Sequence, residues 1–124
     1  MVRLGRPSKA LGRYGERLAE EYLVEKGLRV LDRNWRCQHG EIDLVAFDDA
    51  SRTLIFVEVK TRTGLGFGTP LEAITQAKAR KLYELARMWM KAHSVRASRV
   101  RVDGVGVLLG REGRKISHLE AVSA

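Results

Sequence analysis

The chain has 124 residues, enough for one hydrophobic core with little length left for a second. Its 44% hydrophobic and 31% charged content fits a folded soluble chain. No stretch approaches the ~20 apolar residues that cross a bilayer. The basic start MVRLGRPSKA carries no apolar segment of a secretory signal, and the expected compartment is the cytoplasm. A single cysteine, Cys37, excludes an internal disulfide and a thiolate-cluster zinc site. Twenty-three Lys and Arg against fifteen Asp and Glu leave a net charge of +8, which favours a polyanionic partner. The chain lacks an amphipathic helix with a basic polar face and a bulky apolar side, so no membrane partner is expected.

Residues 1–11 read as a basic flexible arm carrying Arg3, Arg6 and Lys9, and residues 12–124 as one domain. From Gly12 to Lys26 the pattern is helical, with Leu11, Gly15, Leu18 and Tyr22 in 3- and 4-residue steps and Ala19 and Leu23 widening the stripe. Gly27 stands where a left-handed helix stop belongs. LRVLDRNWR then reads as a strand, CQHG as a turn, and EIDLVAF and TLIFVEVKTR as a hairpin joined through DDASR. GLGFGTP predicts a flexible loop leading into a helix, with Thr69 as cap, Pro70 in the first turn and Glu72 completing a capping box. That helix is expected to run to about Ala92 on the stripe Leu71, Ile74, Leu82, Leu85 and Trp89. Two strands, RVRVDGVGVLL and KISHLEAV, complete an α-β-β-β-α-β-β order. This order predicts an α/β single domain, a mixed central β-sheet flanked by helices.

Chemistry concentrates on the hairpin. Strand side chains alternate faces, and residues paired across a hairpin share one. Placing Ile42, Leu44 and Ala46 with Ile55, Val57 and Val59 on the core side puts Glu41, Asp43, Glu58, Lys60 and Arg62 together on the other. One register then sets Asp43 opposite Glu58 and Glu41 opposite Lys60. Two opposed carboxylates repel, unless a cation sits between them; Mg²⁺ binds through one or two carboxylates and keeps waters that a phosphate can displace. A solvated face with a Glu41–Lys60 surface pair is the alternative. Val45, Phe47, Leu54 and Phe56 continue the charged face, so its acids form the rim of a half-buried surface, which suits a cleft.

Asp43 followed by Glu58-Val59-Lys60 resembles the D…(D/E)xK signature of the restriction-endonuclease-like nuclease superfamily. Four blocks in order sharpen the likeness: Gly12, Gly15 and Glu16 as G-x-x-G-E, then RNWR from Arg33 to Arg36, GEIDLVA from Gly40 to Ala46, and FVEVKTR from Phe56 to Arg62. Together they closely resemble the YraN-like family of small bacterial proteins, similar to archaeal Holliday-junction resolvases. The resemblance implies a restriction-endonuclease-like fold and a Mg²⁺ or Mn²⁺ site that cuts phosphodiester bonds in DNA, branched or junction DNA included. Asp43 and Glu58 match the metal-binding acids, Lys60 the catalytic lysine, and Glu16 the first-helix acid that completes the metal site. By analogy with the resolvases, it also implies a homodimer.

Lys78 falls in the middle of the second helix's apolar stripe, where a lysine either snorkels outward or points into a polar cleft. With Arg13, Arg36 and Arg62 it makes the expected nucleic-acid contact set. Gln76 lies on the outer face. A rival reading keeps the fold and the basic face as a non-catalytic nucleic-acid-binding module acting with a partner. His39, His93 and His118 have no zinc-ligand spacing and read as surface or turn residues. Cys37 shows no sign of activation. Trp35 reads as a core residue of its strand. Asp103, an acid inside a strand, is expected to bond to neighbouring arginines or to mark the edge of the site. The glycines of GLGFG lack the Lys and Ser/Thr of a phosphate loop.

Overall fold

The computed structural model describes residues 9–64 and 69–122. Helix α1 spans Lys9–Glu25 and ends at Gly27, whose φ of +93° is the left-handed stop that glycine adopts without strain. Strands β1 (Arg29–Cys37), β2 (Gly40–Asp48) and β3 (Thr53–Arg62) follow as an antiparallel meander. Helix α2 (Gln76–Ala92) crosses over to β4 (Arg99–Gly110), which lies parallel to β3, and β5 (Gly113–Leu119) turns back antiparallel. The result is a mixed five-stranded sheet in the order β1-β2-β3-β4-β5, an α/β single domain with one helix on each face. Lys9 already belongs to α1, so the helix starts inside the stretch read as an arm; residues 1–8 lie outside the described residues.

Both faces of the sheet are buried. Gly15, Leu18, Ala19 and Leu23 of α1 cover Leu44, Ala46, Ile55, Val57, Val59, Val105 and Val107. Ala79, Leu82, Leu85, Ala86 and Trp89 of α2 cover Ile42, Val45, Leu54, Phe56 and Val102. The expectation of one core face and a half-buried second face is therefore corrected: Val45, Leu54 and Phe56 are at most 1% exposed, fully buried under α2. A crossover between parallel strands lays its helix across the sheet, and apolar residues on both strand faces are what that requires.

The second helix departs from its predicted start. Thr69 makes no side-chain cap bond, and Pro70–Ala73 forms a separate 3₁₀ turn. This turn lies against β4, where a Cβ at Gly106 would come within 2.9 Å of Pro70 Cβ. The chain takes an extended step at Ile74, and Thr75 becomes the cap of α2, its side chain accepting from Lys78 N at 3.2 Å. Close packing on a side-chain-free patch thus overrode the local capping signal. Residues 65–68, most of the predicted glycine loop, lie outside the described residues.

Candidate functional site

The site sits where the sheet loses its regularity. The β2–β3 ladder runs from Asp48–Thr53 to Leu44–Val57 and stops, while β3 stays paired with β4 out to Arg62–Leu108. Extrapolated, that register would set Asp43 opposite Glu58, but the ladder ends before that pair. A regular β2 would put Ile42 on the same face as Leu44, but Ile42 packs under α2 and Leu44 under α1. This corrects the predicted Ile42/Leu44/Ala46 set. On β1, the Asn34–Asp43 pair is missing from the ladder, and Asn34 is left-handed at φ +49°. Asn tolerates that conformation better than most residues. Asp43 stands at this break, and its Oδ2 accepts a hydrogen bond from Val59 N at 2.8 Å.

Glu16 arrives from the other side because Gly15 lets α1 lie directly on β3. A Cβ at position 15 would collide with Thr61 Oγ1. Glu16, Glu41 and Asp43 then line a cleft of about 560 Å³, with Lys9, Arg13, Asn34 and Arg36 around it. Burial, followed by the charges of Glu58, Glu16 and Glu41, pushes the Asp43 carboxyl up to about 8 against the opposing hydrogen bond from Val59. Glu16 is also raised, first by burial and then by Glu41, with Glu58 adding to it and Asn34 and Arg13 opposing. Four carboxylates from α1, β2 and β3 thus share one electrostatic environment.

Glu58 joins this cleft to a cluster of cations. Lys60 Nζ lies 3.5 Å from Glu58 Oε1. Slight desolvation and then the charge of Lys60 hold Lys78 below its ordinary value, with Arg62 adding repulsion and Glu58 opposing. Lys78 is exposed, one position from the buried Ala79 rather than in mid-stripe, at the first turn of α2. The Glu41–Lys60 pair of the alternative reading is not formed; Glu41 pairs with Arg36 at 3.5 Å. All the nominated residues therefore gather at this end of the sheet, in two groups: Glu16, Asp43, Arg13 and Arg36 in the cleft, and Lys60, Arg62 and Lys78 beyond Glu58. Asn34 and Glu41 belong to the cleft and were not nominated. The signal for Asn34 was an Asn in the middle of an otherwise β-forming run.

Asp103 and His118 are structural. Asp103 is fully buried and accepts from Arg101 Nε (2.9 Å), His118 Nε2 (2.8 Å) and Ala121 N (3.0 Å). Its arginine comes from its own strand. With Nε2 donating to Asp103, Nδ1 of a neutral His118 is left to accept from Tyr22 Oη at 3.0 Å. His118, its side chain only 5% exposed, thus tethers α1 to the sheet, correcting its surface assignment. Asp103, His118 and Glu120 each offer a ligand atom within 4.8 Å of the others, but Arg101 already bonds both acids and supplies their counter-charge. His93 stacks on Trp89 at 4.3 Å, and Trp35 packs on the α2 core as expected.

Fold and site together define a small α/β protein with an acidic cleft and an adjoining lysine cluster at one end of a mixed sheet. The chain belongs to the uncharacterised protein family UPF0102, whose model matches residues 15–107. A UPF0102 protein of Beutenbergia cavernae is 49% identical over 118 residues, covering 94% of this chain and 98% of its own. One from Mycobacterium avium is 48% identical over 113 residues, covering 90% and 88%. Among solved structures, SfsA of Pyrococcus furiosus in complex with Ca²⁺ aligns at a TM-score of 0.35 and 15% identity, over 94% of this chain and 64% of that one. No helix among the described residues is long and apolar enough to cross a membrane.

Proposed function

We propose that this protein is a metal-dependent nuclease of the restriction-endonuclease-like kind, hydrolysing phosphodiester bonds in DNA, branched or junction DNA included. The observation that carries the reading is the convergence of Glu16, Asp43 and Glu58 from three elements beside Lys60, with Asp43 pushed up to about 8 by burial and its acidic neighbours. Such a set is poorly stable as free carboxylates. Its hard oxygen donors fit Mg²⁺ or Mn²⁺, which need few protein ligands and retain exchangeable waters. Asp43, Glu58 and Glu16 would hold the ion, which supplies Lewis-acid polarisation of a phosphate and a lowered pKa for water. Asp43 is oriented for this by the Val59 amide, which fixes one of its oxygens. Lys60, held beside Glu58, positions the attacking water or stabilises charge developing on the phosphoryl oxygens. Arg13 and Arg36 at the cleft, with Arg62 and Lys78 beyond Glu58, engage the backbone on either side. A cytoplasmic location and a homodimer making paired cuts accompany this reading.

The test is a panel of duplex, single-stranded, flapped and four-way-junction DNA incubated with Mg²⁺ or Mn²⁺. Asp43→Asn and Lys60→Ala are expected to abolish cleavage while leaving the circular dichroism spectrum of the parent. Cleavage by both variants at the parent's rate refutes the site. Calorimetry with Mn²⁺ separates the rival reading: absence of carboxylate-dependent binding identifies a non-catalytic binding module.

A further inference from the structure

Arg62 is unusual among the described side chains: its Nη1 donates to Thr61 O at 3.1 Å, while its Nε is buried with no hydrogen-bond partner. An orphaned guanidinium N–H is costly, and a satisfied one is what native structures normally show. With Nη1 engaged, the Nε–Nη2 edge remains, which is the fork that grips a phosphate through two parallel bonds. The side chain needs only to turn that edge outward.

The sheet register says where such a phosphate would lie. Arg62 pairs with Leu108 on β4, and Leu108 pairs with Lys115 on β5. Paired residues share a face, so Arg62 and Lys115 project from the same side of the sheet, two strand spacings or ~10 Å apart. Lys60 is two residues back along β3 on that face, ~7 Å from Arg62. Lys78 reaches the same place from the first turn of α2, since Lys60 and Arg62 both act on its charge. Lys115 is exposed, and neither it nor Arg62 forms an ion pair among the described residues. Leu108 between them is apolar and neutralises nothing. An open hollow of about 490 Å³ lies alongside, bounded by Gly64, Leu108 and the β4–β5 turn, with Glu112 its acid and Arg111 a further cation.

We infer that Arg62 and Lys115 form a second phosphate site, a track along which the nucleic-acid strand leaves the acidic cleft toward the β4–β5 hairpin. This rests on the nuclease reading and gives it a direction: Lys60 and Lys78 lie at the cut, Arg62 takes the next phosphate bidentately, and Lys115 takes one further along. The fork at Arg62 supplies geometry that a lysine does not.

The experiment measures binding of a fluorescein-labelled DNA duplex, and of its single strand, across a salt series in EDTA, so that nothing is cut. Lys115→Ala and Arg62→Ala should each lower the slope of log affinity against log salt by about one, and weaken binding about eightfold at 0.1 M salt. Arg62→Lys should keep the parent's slope and still bind more weakly, because charge is retained and the fork lost. Lys91→Ala, at the far end of α2, serves as control and should match the parent. Urea midpoints equal to the parent's show that the variants are folded. If Lys115→Ala and Arg62→Ala bind with the parent's slope and affinity, the track is refuted, and the nuclease reading stands on the Asp43→Asn and Lys60→Ala cleavage results. A parent that binds neither DNA form overturns both.

Discussion

Asp43→Asn should stabilise the metal-free protein, and by more as the pH rises. Burial, then the charge of Glu58, lifts this carboxyl from 3.8 to about 8. Over that window the folded chain keeps a proton that the unfolded chain has released. Stability then falls with pH, by about 1.4 kcal/mol per unit from this one group. The contribution is fully present below the unfolded value and is lost as pH rises through the folded one. Between pH 5 and pH 7 the ceiling is about 3 kcal/mol, a large part of a small domain's stability. Asn retains a carbonyl oxygen to accept from Val59 N, so the comparison isolates the charge. Urea denaturation of parent and variant in EDTA at pH 5, 7 and 9 measures it. The gap should widen from 5 to 7 and level off above about 8. A gap of the same size at pH 5 and 7 refutes the account of the buried acid. Saturating Mn²⁺ should raise the parent's midpoint and leave the variant's unchanged.

Gly15→Ala forces a methyl group onto Thr61 Oγ1, so it should cost about 1–3 kcal/mol in urea and weaken Mn²⁺ binding by displacing Glu16. Asp103 behaves oppositely to Asp43: burial would raise it, but His118, Arg101 and the Ala121 amide together hold it below the usual carboxylate range. Its contribution is present above the ordinary carboxylate value and lost as pH falls through the lower folded one. Asp103→Asn should therefore destabilise by about 3 kcal/mol at pH 7, with the gap to the parent closing as denaturation curves are taken toward pH 3. Glu58→Gln should bind duplex DNA more tightly than the parent in EDTA, because a carboxylate facing the backbone is removed, as fluorescence anisotropy would show; equal or weaker binding refutes the placement of Glu58 against the substrate.

The hairpin and its register were legible because they depend on patterns within one segment. Turn formers bound EIDLVAF and TLIFVEVKTR, and the predicted register parity matches the observed pairing from Leu44–Val57 to Asp48–Thr53. The departures came from contacts between distant segments. Nothing near Ile42 announces that it turns under α2, because the cause is a paired irregularity with Asn34 on another strand. Thr69 carries a good local capping pattern, yet Pro70–Ala73 settles on Gly104 and Gly106, far along the chain on β4. His118 reads as an isolated histidine until β5 brings it against Asp103 and Tyr22. In the site, types and spacing identified the acids of β2 and β3. The reason Glu16 reaches them is a close approach at Gly15 that only the packed structure reveals.

The irregularity of the sheet and the charge of the chain act together. A net charge of +8 draws a polyanion toward the molecule as a whole. Arg13 and Arg36 at the cleft, and Lys60, Lys78 and Arg62 beyond Glu58, concentrate that attraction at one end. At the centre of this basic rim stands the opposite sign, in Glu16, Asp43 and Glu58. A phosphate held by the rim is repelled from the centre, and a metal-free protein would be expected to bind nucleic acid without bringing it into register with the acids. The divalent cation proposed above would reverse the sign only at that centre. On the proposed reading it would relieve the repulsion among the carboxylates and leave a phosphate an attractive position between two basic flanks. The parting of β2 from β3 leaves the Val59 amide to orient Asp43, since a continuous ladder would have occupied it. The end of the β2–β3 ladder and the orientation of Asp43 thus have the same structural origin.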